Sequence, residues 1–222
     1  VYILTLESAA EMERAFGIPS IADHYTQIAS AIRGTIREKY WDATRGLFAD
    51  TYDHRSFSQH VNSLAILAGI VAGEEATRVM ERTLNDSSLI QATIYFRYYV
   101  HQALKVAGMG DHLLDNLQIW RDQMALGLTT WAEMPEPTRS DRHAWGASPN
   151  IEFFRILLGI DSNAPGFKSI RIAPSLGDLK EVSGTMPHPV GSVTASYKLD
   201  KKGKLTARLI LPTGTDGVFV WK

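Results

Sequence analysis

The apolar periodicity of this chain changes once, near Asn163, and that change restricts the folds open to it. Up to about Ile160, apolar residues recur every three or four positions, the spacing of helices that bury one face. From Asn163-Ala164-Pro165-Gly166 onward they recur every second position: Ile170 and Ile172, then Val193, Ala195, Tyr197 and Leu199, then Leu205, Ala207, Leu209 and Leu211. Helices followed by strands, rather than alternating with them, define an α+β chain of two regions, 1–162 and 163–222.

The helical region reads as about seven helices with short turns. Leu4, Leu6, Ala10, Met12 and Phe16 mark a first helix, closed by Gly17 and Pro19. Ser20 is placed to cap a second, running to about Tyr40 on Ile21, Tyr25, Ile28, Ala29, Ile32 and Ile36. A Gly turn follows between aromatic residues, Trp41 to Asp50. Ser58 is the expected N-cap of a helix through Ile70 with Val61, Leu64, Ala65, Ala68 and Val71 inward. Gln59, His60 and Asn62 at its start either face a cavity or serve capping and inter-helix hydrogen bonds. Gly73 opens a charged helix to about Leu84. The segment Ala92 to Ala107 is apolar or aromatic around most of its circumference, which predicts a buried helix. Asp111 then caps a helix with the stripe Leu113, Leu117, Trp120 and Met124, ended by Gly127. Ser148-Pro149 starts the last, with Ile151, Phe154 and Leu158 toward the core and Gly159 as its stop.

In the second region Asp200-Lys201-Lys202-Gly203 joins two alternating runs as a hairpin, and Pro212 to Thr215 turns toward a last strand, Val218 to Trp221. The expectation is a small antiparallel β-sandwich of about five strands. Its aromatics, Phe167, Tyr197, Phe219 and Trp221, mostly fall on core positions, which argues against a carbohydrate-binding module.

Bulk properties exclude several functions. With 222 residues there is ample chain for a core, and 45% apolar residues with a mean hydropathy of −0.11 fit an ordinary globular protein. A formal charge of −1 offers no polybasic field for nucleic acid or a membrane surface. No apolar run approaches the roughly 20 residues of a membrane helix. Without cysteine there are no disulfides or thiolate metal sites. The seven histidines form no His-x-x-x-His pair, and no calcium loop or Gly-rich phosphate loop is present, so neither metal nor cofactor is expected. The chain opens Val-Tyr-Ile-Leu as if inside a helix and stops inside a strand-like run, so further sequence is expected at both ends.

Between Gly127 and Ile160 lies a Pro-broken loop carrying Trp131, Trp145, Glu133, Glu136, Asp141, His143, Arg139 and Arg142. Long loops inside a compact helical region are usually functional. Carboxylates beside Trp and His also suit a sugar: acids move protons, rings cover the apolar sugar face, and His or Arg bonds hydroxyls. The alternative is a solvated loop whose acids pair with Arg139 and Arg142.

Thr129-Thr130-Trp131-Ala132-Glu133 resembles the Thr-Thr-x-Trp-Glu segment of the bacterial α-L-rhamnosidases, glycoside hydrolase family 78. Met134 to Asp141, then His143-Ala144-Trp145, and Phe153 to Ile160 are similar to one branch of it, and Phe57 to Asn62 also fits its Ser-Gln-His-x-Asn run. The resemblance implies half of an (α/α)6 helical toroid, residues 1–162, followed by a C-terminal β-sandwich, 163–222. It implies an inverting glycosidase with Glu133 as general base, His143 on sugar hydroxyls, and Trp131 and Trp145 as walls. Glu136 is the rival base and a candidate substrate contact. Ala132 displaces Trp131 by one residue from the family pattern, so the role of Trp131 is less firmly carried over than that of Glu133.

Nothing in the chain resembles the family's general acid, which implies that it lies upstream and that residues 1–222 alone are inactive. The substrate implied is a rhamnose-containing glycoside or polysaccharide. The alternatives are another inverting (α/α)6 glycosidase and a non-catalytic carbohydrate-binding fragment. Half a toroid would leave the Tyr95–Val100 face unpacked and prone to self-association. The resemblance favours a periplasmic or extracellular location, with a cytoplasmic one still open.

Overall fold

The computed structural model describes residues 1–221; the expectation for a second region reaching residue 222 falls, at Lys222, outside the described residues. The chain forms two compact units, Val1–Gly108 and Met109–Lys222. Among the described residues there are seven α-helices and three small sheets.

In the first unit, α1 (Tyr2–Phe16) and α2 (Pro19–Tyr40) form a helical hairpin joined by Gly17 and Ile18. Their shared core holds Ile3, Leu6, Ala29 and Ala68, with Tyr25, Ile28, Ile32 and Ile36 packed against it. Met12 and Phe16 do not join it: Phe16 is 91% exposed, because a residue in the last turn has no neighbouring layer to meet. Ser20 is not the cap of α2. The helix starts two residues earlier than that cap implies, at Pro19, whose missing N–H costs nothing at that position, and Ile18 is the N-cap. The expected Gly turn is a tight hairpin, β1 (Trp41–Asp42) against β2 (Leu47–Phe48), with Gly46 at φ 61°. Asp42 Oδ1 closes it by accepting the Thr44 and Arg45 N–H groups at 2.9 Å each.

Helix α3 (Gln59–Leu67) begins as the sequence predicts, with Ser58 Oγ accepting the Val61 N–H at 3.2 Å, though it ends before Ile70. Its buried face is partly polar. Gln59 donates through Nε2 to the Thr83 carbonyl at 3.1 Å, and its Oε1 accepts the Ala92 N–H at 2.9 Å. Asn62, fully buried, takes the Phe48 N–H at 2.8 Å and donates to the Phe48 and Ser58 carbonyls at 3.1 and 2.9 Å. Of the two roles open to Gln59 and Asn62, these are inter-element hydrogen bonds: Asn62 satisfies backbone of the β1–β2 hairpin, and Gln59 that of Thr83 and Ala92. His60 instead lies against Phe96, with ring centroids 4.3 Å apart.

Helix α4 (Gly73–Asn85) carries Glu74 and Glu75 in its first turn, where the dipole favours them. Helix α5 (Ile94–Val106) differs from expectation. It buries Ile94, Val100, His101, Ala103 and Leu104, but Tyr95 is 49% exposed and Phe96, Tyr98 and Tyr99 are only half-buried. Apolar residues around the whole circumference thus yield one buried stripe and one open aromatic face.

The second unit begins with two 3-10 turns, Gly110–His112 and Leu114–Leu117, that lead into α6 (Gln118–Ala125). The predicted longer helix capped by Asp111 is not formed. The Asp111 carboxylate instead accepts the Gly177 N–H at 2.9 Å, and Met124, assigned to the stripe, is 63% exposed. After the loop comes a 3-10 turn, Ala144–Ala147, then α7 (Pro149–Glu152), which runs directly into a π-helical turn, Phe153–Leu157. That widening closes with the Leu158 N–H on the Phe153 carbonyl at 2.9 Å. It rotates the apolar set, so Ile156, Leu157 and Leu158 are buried while Ile151 stays 38% exposed. Ser148 is the N-cap residue, but its side chain makes no capping bond.

Among the described residues six strands follow rather than about five. β3 (Ile160–Ser162) pairs antiparallel with β4 (Ser169–Ile172), and β4 pairs with β8 (Asp216–Phe219). The β4–β8 pairing is parallel, so the strands are not all antiparallel as expected. β5 (Glu181–His188), β6 (Gly191–Leu199) and β7 (Leu205–Ile210) form an antiparallel meander, and Lys198 faces Thr206 across the expected hairpin. One core of Leu158, Ile160, Ile170, Ile172, Leu176, Val193, Ala195 and Tyr197 joins both sheets. Tyr197 sits at its centre with no exposed surface, and its hydroxyl donates to the Leu158 carbonyl at 2.9 Å. Burial of such a ring contributes about 1.5–3 kcal/mol. Phe219 and Trp221 depart from the core assignment, at 39% and 42% exposed.

Candidate functional site

The loop between α6 and α7 is held at a narrow neck. Leaving α6 at Gly127 (φ 79°), the chain runs out through Thr130 and Trp131 and returns through Asp141 to His143. Across the neck the His143 N–H donates to the Trp131 carbonyl at 2.8 Å, and the Glu133 N–H to the Ser140 carbonyl at 2.9 Å. Thr130 Oγ1 adds a bond to the Asp141 carbonyl at 2.5 Å. From α6, the buried Gln123 accepts the Ala132 N–H on Oε1 at 3.0 Å, and Trp120 Nε1 donates to the Gly146 carbonyl at 2.6 Å. Glycine is required at 146, since a Cβ there would lie 2.6 Å from that of Trp131.

These ties place Glu133 inward. Its side chain is 8% exposed, an uncommon position for a carboxylate. Both oxygens are taken by Arg139: Nε donates to Oε2 at 2.5 Å and Nη2 donates to Oε1. His143 Nε2 lies 3.8 Å from Oε1. The Arg139 hydrogen bonds, aided by the positive charge of Arg139 and by His143, hold the Glu133 carboxyl below the usual carboxylate range against the opposing effect of burial. Glu133 is therefore ionised at neutral pH, as a proton acceptor must be.

Glu133, His143 and Trp145 come together. His143 is half-buried, and the Trp145 ring lies 4.4 Å from its imidazole at 50°. His143 Nδ1 is buried without a hydrogen-bond partner among the described residues. Trp145 is 45% exposed, so it presents a ring to solvent rather than filling the core. Trp131 is half-buried, fixed by its backbone and by Gly146. Glu136 lies apart on the exposed tip, where Oε2 accepts the Thr138 N–H at 3.1 Å beside the cis Glu136–Pro137 bond. The pairing of acids with both arginines occurs for Arg139 only: the contact found for Arg142 is its N–H to Ser140 Oγ at 3.4 Å. Sequence reasoning missed Gln123, Ser140 and the link from Trp120 to Gly146. Trp120 was legible only as an apolar position, and a Gln in a helix gives no signal for a backbone three turns away in sequence. Among the described residues no cluster of three or more His, Cys, Asp or Glu is placed to hold a metal.

The loop thus brings an ionised acid, an imidazole and an open indole together, groups that can accept a proton, bond a hydroxyl and stack on an apolar face. Residues 159–220 match the family model described as the bacterial α-L-rhamnosidase C-terminal domain. The chain as a whole has the fold of the corresponding part of the rhamnosidases, which upholds the resemblance seen in its sequence. It is similar to the GH78 rhamnosidase of Bacillus sp. GL1, with 24% identity and a TM-score of 0.82, over 99% of this chain and 26% of that one. The α-L-rhamnosidase of Dictyoglumus thermophilum is similar at 18% identity and TM-score 0.81, over 98% of this chain and 26% of the other. That of Streptomyces avermitilis, complexed with L-rhamnose, has 17% identity and TM-score 0.78, over 98% and 22%. The chain thus spans about a quarter of the length of these enzymes. No curated protein matches it by sequence.

Proposed function

We propose that the chain is the C-terminal part of an inverting α-L-rhamnosidase, contributing half of an (α/α)6 toroid (1–162), a β-sandwich (163–222) and the general base, Glu133. The observation that carries this reading is a carboxylate only 8% exposed, kept ionised, with His143 and Trp145 beside it. Inversion needs a base that takes a proton from water while an acid protonates the leaving oxygen, the two carboxyl groups standing about 6.5–9.5 Å apart. The acid comes from sequence outside this chain. A structure of this fold holds L-rhamnose, which supports the same sugar as ligand. In this reading His143 Nε2 hydrogen-bonds sugar hydroxyls, and Trp145 covers the apolar face of the ring with Trp131 behind it.

Glu133 is preferred over Glu136 because Glu136 is exposed and turned to its own loop backbone. The test is turnover of an aryl α-L-rhamnoside by the full-length protein, with and without Glu133→Gln, and NMR of the first-formed anomer. Loss of several orders of magnitude in the variant, with β-L-rhamnose formed first, supports the assignment. An unchanged rate in the variant moves the base to Glu136 or to an upstream acid, and activity confined to other aryl glycosides makes the parent another inverting toroid glycosidase.

A further inference from the structure

A carboxylate whose two oxygens each accept a guanidinium hydrogen bond keeps a lone pair on each but is a weakened acceptor for a proton from water. In this structure Glu133 is in that condition, with Arg139 on Oε1 and Oε2 at once. The two partners differ sharply in freedom. Glu133 is fixed by its N–H on the Ser140 carbonyl and is 8% exposed, whereas the Arg139 side chain is 77% exposed and can rotate away without breaking a core. The two oxygens also differ. Among the described residues Oε2 is bonded by Arg139 Nε, while Oε1 lies 3.8 Å from His143 Nε2, whose ring is 4.4 Å from that of Trp145. Arg139 immediately precedes Ser140, so the same neck that fixes the Glu133 backbone brings the guanidinium to its carboxylate.

Resting on the reading of Glu133 as general base, we propose that Arg139 is a positioning residue: its Nε orients the carboxylate through Oε2, and its Nη2 releases Oε1 to the attacking water when sugar binds. The water oxygen then bonds to the anomeric carbon as the glycosidic C–O bond breaks. The water proton passes to Oε1, and the leaving oxygen takes its proton from the acid supplied outside this chain. His143, facing Oε1, limits where Nη2 and the water can stand. The charged or titratable groups facing the carboxylate are Arg139 and His143, from the returning limb of the neck; α6 presents the neutral Gln123. Arg139 acts on the base and not on the sugar, so its loss reads in kcat rather than in KM.

The experiment is kcat and KM against pH for the full-length protein on an aryl α-L-rhamnoside, with Arg139→Gln, Arg139→Lys and Glu133→Gln. Arg139→Gln is expected to lose on the order of tenfold to a hundredfold in kcat through misplacement of the base, with KM within about twofold. Its acidic limb moves to higher pH, because the carboxylate has lost the cation that kept it ionised. Arg139→Lys, which keeps the charge and one bond, returns part of the rate and most of the limb, and it decides the matter if the Gln variant does not fold. A wild-type kcat and profile in both arginine variants overturns the proposal while leaving the base assignment intact, provided Glu133→Gln is inactive. A raised KM with unchanged kcat overturns it too, making Arg139 a sugar contact. An active Glu133→Gln removes the base assignment and the proposal together.

Discussion

The indole N–H of Trp120 donates to the carbonyl of Gly146 at 2.6 Å, tying the first turn of α6 to the far end of the loop that leaves that helix and comes back. The bond is buried and spans 26 residues. It fixes where the loop returns, and with it the relation of His143 and Trp145 to Glu133.

Gly146→Ala tests that closure. The added Cβ would lie 2.6 Å from Trp131 Cβ and 3.4 Å from Cγ, so Trp131 or the 3-10 turn must shift. Activity of the full-length protein is expected to fall on the order of a hundredfold, as displacements of about 1 Å at a site do, with the circular dichroism spectrum unchanged. A fully active Gly146→Ala would show that the neck tolerates movement and does not position Glu133.

Asn62→Leu should destabilise the first unit by about 3 kcal/mol in urea unfolding. It leaves the Phe48 N–H and carbonyl buried without a partner, and each orphaned group costs about 1–3 kcal/mol. A loss below about 1 kcal/mol would mean the hairpin finds other partners.

Tyr197→Phe keeps the ring but strands the Leu158 carbonyl, at an expected cost of about 1 kcal/mol. Tyr197→Ala also empties the centre of the sheet core, about 3–5 kcal/mol by analogy with other large aromatic truncations. The ratio of the two, from denaturant midpoints at constant slope, separates hydrogen bond from packing.

His54 gives a pH dependence. Its ring bonds the Lys39 carbonyl and the Asp42 carboxylate, at 3.0 and 3.3 Å, which together raise its pKa above the ordinary 6.5 despite partial burial. A raised pKa means that the folded state holds the proton more tightly. The stability this adds is complete below the unfolded value and is lost as pH rises through the folded one. In the window just above pH 6.5, the wild-type unfolding midpoint should therefore fall relative to His54→Asn, which keeps the left-handed φ of 54° that Asn tolerates. Parallel curves for the two would show that the ring titrates alike in both states.

Sequence patterns told most where one physical cause acts locally. The cap at Ser58, the proline start at Pro149, the glycine stops at Gly127 and Gly159, and the β6–β7 hairpin were legible because each depends on a few adjacent residues. Elements decided by distant partners were not. β3 is three residues long and exists because Ile172 pairs with Ile160; β8 was expected as a strand, but its parallel match to β4, nearly fifty residues back, was not. β5 was missed because Ser183, Gly184 and Pro187 blur its alternation. At the site, the motif placed Glu133, His143 and Trp145 in one loop, but that Arg139 would take both carboxylate oxygens depended on the register of the neck, a property no spacing rule states.

The neck also divides the loop into two territories with different freedom. Apart from Arg139, which stands just beyond it, what fixes the carboxylate lies at or below the Glu133–Ser140 bond, while Met134 to Pro137 form the exposed tip outside it. Residues there can be exchanged, or the tip lengthened, with the proton acceptor left where it is. The fold thereby offers a surface on which preference for what is attached to the sugar can drift while the chemistry stays in place.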